Sequence, residues 1–159
     1  MIKYFSQLDP SWARKTLGNT IYTIMNWGCA NTTICNAIQK IYKVFDFSPK
    51  HGAELFKYTD DGKIIHDSIK FKDMKTKRVW GRPDNKTFIE YANSDNKAIG
   101  VRMAYNPQHW ILVTGWTVWW KFWFLAADPY SYNPVTKTCR IVRKLKRNID
   151  GAFLFSKPK

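Results

Sequence analysis

Ile34, Ile38, Ile41, Tyr42 and Phe45 recur at i, i+4, i+7, i+8 and i+11, the spacing that lines one buried face of an α-helix. The pattern predicts a strong helix that opens at Gly28-Cys29. Residues 1–28 show no such period, and Asp9-Pro10 and Gly18-Asn19 mark turns within them. Ser48-Pro49 signals a second helix start, with serine able to cap and proline suited to the first helical position. That helix runs to about Lys57, before the turn Asp60-Asp61-Gly62. A further short helix is expected over 65–72.

From about Thr76 the pattern shortens to strands. The expected strands are 76–81, 87–92, 98–105, 109–116, 119–127, 138–145 and 152–155. Arg82-Pro83-Asp84-Asn85, Ser94-Asp95-Asn96, Asn106-Pro107 and Asp128-Pro129 form the turns between them. Helices followed by strands predict an α+β fold with an antiparallel sheet. No internal repeat, low-complexity stretch or linker interrupts the chain, so residues 1–159 are expected to form one domain.

The run from Trp110 to Ala127 is nearly continuous in apolar residues and close to membrane-spanning length. Lys121 lies inside it, Gly115 breaks it, and its Trp, Val, Ile and Phe favour strands. A buried β-hairpin turning near Thr117 is therefore expected, with no membrane span. The opening Met1-Ile2-Lys3-Tyr4-Phe5-Ser6-Gln7 has neither a long apolar run nor a small-residue cleavage site, and so does not read as a signal peptide. The expected setting is cytoplasmic, or outside the cell after lysis or carriage in a particle.

Charge adds a class of partner. There are 26 basic and 12 acidic residues, a net charge of +14. Half of that excess lies between Lys137 and Lys159, where eight basic residues face Asp150 alone. Lys72, Lys75, Lys77, Arg78, Arg82 and Lys86 form a second basic stretch. Such a field favours polyanions, namely nucleic acid, anionic lipid or the anionic polymers of a cell wall, although it also suits a simply solvated surface.

Three cysteines, Cys29, Cys35 and Cys139, make neither a disulfide framework nor a zinc knuckle. Cys29 and Cys35, six apart on one helix, point in different directions, so free thiols are expected. No phosphate loop, dinucleotide fingerprint or metal-ligand spacing is present, and no cofactor is expected. Trp116, Trp119, Trp120 and Trp123 could stack on bases or sugars, but on adjoining strands they read first as core.

A lone cysteine is first a small buried hydrophobe. Cys29 differs in position, because the backbone N–H groups and dipole of a helix N-terminus stabilise a thiolate. Gly28 before it would let a substrate backbone approach. A nucleophilic thiol needs a base, and the chain offers His51, His66 and His109. His51 lies in an early helical segment, and His66 reads as a surface or capping residue. His109 opens a strand at the end nearest the Asn106-Pro107 turn, with its ring expected on the face of Ile111 and Val113. A structural, hydrogen-bonded histidine is an equal reading at this point. Asp128 ends the following strand, and an antiparallel hairpin would return it beside His109 as an orienting carboxylate. The Cys29 N–H and a side-chain amide, with Gln7 one candidate, could hold an oxyanion.

Gln7-Leu8-Asp9-Pro10-Ser11-Trp12, Leu17-Gly18, Thr23-Ile24 and Gly28-Cys29-Ala30-Asn31-Thr32-Thr33 together resemble the opening of the bacteriocin-leader (double-glycine) processing cysteine peptidases and their stand-alone relatives. The likeness continues through Ser48-Pro49, Gly62-Lys63-Ile64-Ile65, His109-Trp110-Ile111-Leu112-Val113-Thr114-Gly115 and Asp128-Pro129-Tyr130, in order over about 7–130. It implies a papain-like fold with Cys29 as nucleophile, His109 as base, Asp128 as orienter and Gln7 as oxyanion donor. Ala30-Asn31 departs from the more usual Gly-Pro-like pair, and the Trp119-Trp120 hairpin is unusually aromatic.

The implied activity is a thiol peptidase or amidohydrolase. No ATP-driven transporter segment accompanies the domain, which points away from leader export. A small basic member of this kind is expected to hydrolyse peptidoglycan peptides, as a phage or bacterial lysin does; a protein peptidase is the close alternative. The contrasting expectation is a non-catalytic module of the same fold, for example a virion component or a nucleic-acid binder.

Overall fold

The computed structural model describes residues 2–116 and 123–158. The backbone forms α1 (Ile24–Trp27), α2 (Cys29–Tyr42), α3 (Pro49–Leu55), β1 (Lys75–Trp80), α4 (Asn85–Asn93), β2 (Lys97–Met103), β3 (Asn106–Trp116), β4 (Trp123–Ala127), β5 (Ile141–Leu145) and β6 (Ile149–Ser156). The six strands make one antiparallel sheet in the order β1-β6-β2-β3-β4-β5. The class is thus α+β, as the change of period along the chain implies.

The sheet is covered on both faces, and strand alternation sorts its side chains between them. Ala98, Leu112, Phe153 and Phe155 join the cluster of α2 residues Ile34, Cys35, Ile38 and Ile41. Their neighbours Ile99, Val101, Ile111, Val113 and Leu154 join Phe88 and Ala92 of α4. Gly100 lets α2 come close, because a Cβ there would stand 2.8 Å from Thr33 Cγ2.

Almost the whole of α2 is buried, including its polar residues, and each has local work. The Asn36 amide accepts from Phe5 N and donates to Phe5 O, tying the N-terminal segment to the helix. Lys40 Nζ donates to the carbonyls of Tyr91 and Ala92, orphan acceptors at the end of α4. The helix stops at Lys43, which adopts a left-handed conformation with φ of 56°. It therefore ends one turn short of Phe45, which is not on the buried face as the period implied but is 59% exposed.

Residues 87–92 are helical in α4, contrary to the strand expected from their β-branched and aromatic content. Asp84 caps this helix, accepting from Thr87 N and Thr87 Oγ1 at 2.8 and 2.7 Å, and Phe88 and Ala92 then fall on one buried face. The expected helix over 65–72 reduces to one 3₁₀ turn, His66–Ser68. Residues 109–127 contain the expected hairpin partners, with Leu112 opposite Ala127 and Trp116 opposite Phe124. Its turn near Thr117, with Trp119 and Trp120, lies outside the described residues. Trp123, expected in the core, is 38% exposed. No helix among the described residues is long and apolar enough to cross a membrane.

Candidate active site

Gly28 ends α1 and precedes α2, its N–H bonded to Ile24 O at 2.8 Å. A Cβ at this position would run into Ile24, 2.7 Å from its Cα. The glycine is thus required by the tight corner between two helices, a different reason from substrate access. The corner makes Cys29 the first residue of α2.

All three cysteines are buried, and none forms a disulfide. Burial pushes the Cys35 thiol far above its ordinary range, and burial with the nearby Asp128 charge raises Cys139 to about 12. Neither has a histidine partner among the described residues. Cys29 does, through a hydrogen bond to the ring of His109.

His109 Nε2 lies 3.0 Å from Asp128 Oδ1, and each side chain is 11% exposed. With Nε2 facing the carboxylate, Nδ1 is the ring nitrogen left to the thiol. Burial works against the imidazolium, but hydrogen bonds to Asp128 and Cys29 and the charges of both outweigh it, lifting His109 to about 9. Burial would also raise the Asp128 carboxyl. His109, Lys144 and the Tyr130 N–H instead hold it below the ordinary carboxylate range.

The hairpin brings His109 and Asp128 together as expected, but the His109 ring does not take the expected direction. Ile111 and Val113 face α4, whereas His109 meets Cys29 at the start of α2. The pairing explains this. Arg102 is opposite Trp110 but Met103 is opposite Asn106, so the register breaks across 107–109 and strict alternation stops before His109.

Gln7 is fully buried and held on both sides. Its N–H donates to Pro129 O at 3.0 Å, beside the Asp128 turn, and its Nε2 donates to Met25 O at 2.6 Å in α1. Ser6 Oγ also donates to Pro129 O, and Trp12 Nε1 fixes the segment through Ser6 O. The side chain lines a cleft of about 340 Å³ together with Asn26, Cys29, Tyr105, His109, Tyr130 and Lys144. Nε2 carries a second N–H, while the buried Oε1 has no hydrogen-bond partner among the described residues.

All four residues singled out from the sequence therefore converge on one place. The other two histidines do not. His51 completes a capping box with Ser48 and stacks on Phe47, and His66 stacks on Phe153 beside Asp67. Two contributors went unpredicted. Tyr130 sets its ring edge-on to His109, with centroids 6.2 Å apart, and Lys144 reaches Asp128 Oδ2 and Tyr105 Oη. Lys144 sits within the basic C-terminal run, and its pairing opposite Phe124 emerges only from the strand register.

A thiol, an imidazole and a carboxylate in series, with an amide donor across a cleft, can carry nucleophilic attack on a carbonyl and proton delivery to its leaving group. No family model matches the chain, and no curated protein or solved structure matches it significantly.

Proposed function

We propose that the protein is a thiol amidohydrolase with a papain-like fold. The observation that carries this reading is the continuous contact Cys29–His109–Asp128 at the first turn of α2, beside a buried glutamine. The Cys29 sulfur attacks the carbonyl carbon of an amide, and the resulting oxyanion takes hydrogen bonds from Gln7 Nε2 and the Cys29 N–H. The His109 imidazolium gives its proton to the amide nitrogen as the C–N bond breaks, releasing the amine and leaving a thioester. Water then attacks the thioester while His109 accepts its proton, which frees the acid and returns the thiol. Asp128 keeps the ring oriented and supports its charge throughout.

The substrate we favour is a peptide amide of peptidoglycan. The charge of +14 would draw the protein to an anionic wall. A separate concavity of about 900 Å³, whose lining includes Arg82, Arg147 and Trp123 along with Asp84 and a Lys146 bonded to Asn85, offers basic and aromatic groups to a polyanion. That second feature also favours a binding role, which would show as a steep fall in polyanion affinity with salt.

The deciding experiment incubates purified cell wall and, separately, denatured protein with the wild type and with Cys29→Ala, reading new termini by mass spectrometry. New termini made by the wild type alone are expected. Equal cleavage by Cys29→Ala, or none by either, would sink the hydrolase reading.

A further inference from the structure

A second cleft shares Cys29 with the first and is otherwise built from different residues. It has a volume of about 140 Å³ and is lined by Trp27, Ala30, Trp110 and Phe153, by the backbone around Gly62–Ile64, and by Lys63, Arg78 and Arg102. Three basic side chains and, among the described residues, no carboxylate line it.

The sheet register explains how two arginines come to this place. Arg78 of β1 is opposite Phe153 of β6, and Arg102 of β2 is opposite both Gly151 of β6 and Trp110 of β3. These positions share the α2 face. Gly151 has no side chain to fill the space between, and a Cβ there would stand 3.4 Å from Arg102 Nε. Phe153 supplies an apolar floor, stacked on Trp110 with centroids 4.3 Å apart.

The charges differ in how they are balanced. Lys63 pairs with Asp61, and Arg102 Nε bonds Asp150 Oδ1 at 2.8 Å. Arg78 has no carboxylate partner among the described residues. Its guanidinium lies 3.8 Å from the centre of the Trp80 ring, held by an aromatic face and not by an anion. Arg78 is exposed, stays charged, and has a like charge beside it in Arg102. A guanidinium with no carboxylate of its own, beside a second arginine and an apolar floor, is placed to take an anion. The planar fork of arginine suits a carboxylate above other small anionic groups of a peptide.

We propose that this cleft is an acidic subsite, in which a carboxylate of the peptide substrate next to the scissile amide is seated on Arg78, with Arg102 beside it. The inference rests on Cys29 being the nucleophile, and it narrows the substrate to peptides with an acidic residue at or adjacent to the cleaved bond. Arg78 is then a specificity-determining residue, while the thiol chemistry is independent of it.

The test uses dipeptide chloromethyl ketones with Glu or Gln, placed either on the ketone-bearing residue or on the one before it. Cys29 displaces chloride from these reagents, and intact mass follows the rate. In one of the two placements the Glu reagent is expected to react about tenfold faster than its Gln counterpart. Arg78→Gln should reduce that ratio to near one while leaving the rate with neutral iodoacetamide unchanged. Equal Glu and Gln rates in both placements, or a Glu preference that survives Arg78→Gln, would overturn the subsite. Should Arg78→Gln fail to fold, the ratio in the wild type decides alone. A Cys29 that resists iodoacetamide altogether would instead remove the hydrolase reading beneath it.

Discussion

Lys144 Nζ stands 3.3 Å from Oδ2 of Asp128, while Oδ1 of the same carboxylate faces His109 at 3.0 Å. One anion is thus shared between a fixed cation and a titrating one. Burial lowers the lysine's hold on its proton, but Tyr105 and Asp128 more than restore it, so Lys144 stays charged. Replacing it with methionine removes a competitor for the carboxylate. The His109 titration, followed by NMR, is expected to move upward by about half a unit to one unit in Lys144→Met. An unmoved titration would reduce Lys144 to a packing residue.

His109 links the site to stability. Its folded pKa, about 9, lies above the ordinary 6.5, so the imidazolium stabilises the fold fully below pH 6.5, and this is lost as pH rises to about 9. Denaturant unfolding of wild type and His109→Gln should differ most near pH 6 and converge above pH 9. The contribution is on the order of 3 kcal/mol at most. Lys40 works the other way, since burial and then Lys43 lower it to about 8, and its penalty is relieved above that pH. The difference between wild type and variant cancels this second effect.

Gln7 is expected to act on rate more than on substrate affinity. Gln7→Glu keeps the shape but places an acceptor where an oxyanion would form. A fall in kcat of about 10²- to 10³-fold with little change in KM is expected from steady-state kinetics on the wall peptide. A change confined to KM would move Gln7 from the oxyanion to substrate binding.

Gly28→Ala should fail for a steric reason, because its Cβ would collide with Ile24 in the helix before it. A loss of about 1–3 kcal/mol is expected in urea unfolding, together with slower Cys29 alkylation. Full stability in this variant would show that the α1–α2 corner can relax.

Much of this arrangement was legible in residue order. Ile34, Ile38 and Ile41 reveal α2, and the hairpin logic joins His109 to Asp128 because antiparallel pairing is nearly forced by the intervening apolar run. What escaped depends on competition between local signals. Thr87, Phe88, Ile89 and Tyr91 favour a strand, while Asp84 reads equally as a turn residue or a helix cap. The packing of Phe88 and Ala92 against the sheet decides for the cap. Asp84→Ala is accordingly expected to cost about 1 kcal/mol in thermal unfolding and to leave Cys29 reactivity intact. The direction of the His109 ring and the role of Lys144 were illegible for another reason. Both follow from register, which side-chain alternation specifies only until a bulge interrupts it.

Strand β6 comes last in chain order, yet it lies between β1 and β2. During synthesis those two strands, separated by α4, have no shared partner until residues 149–156 leave the ribosome. Phe153 of β6 also floors the cleft beside Cys29, so that wall is missing until then. The cleft beside Cys29 is therefore complete only after β6 has paired between β1 and β2. Assembly must wait for pairings between distant parts of the chain, which slows folding.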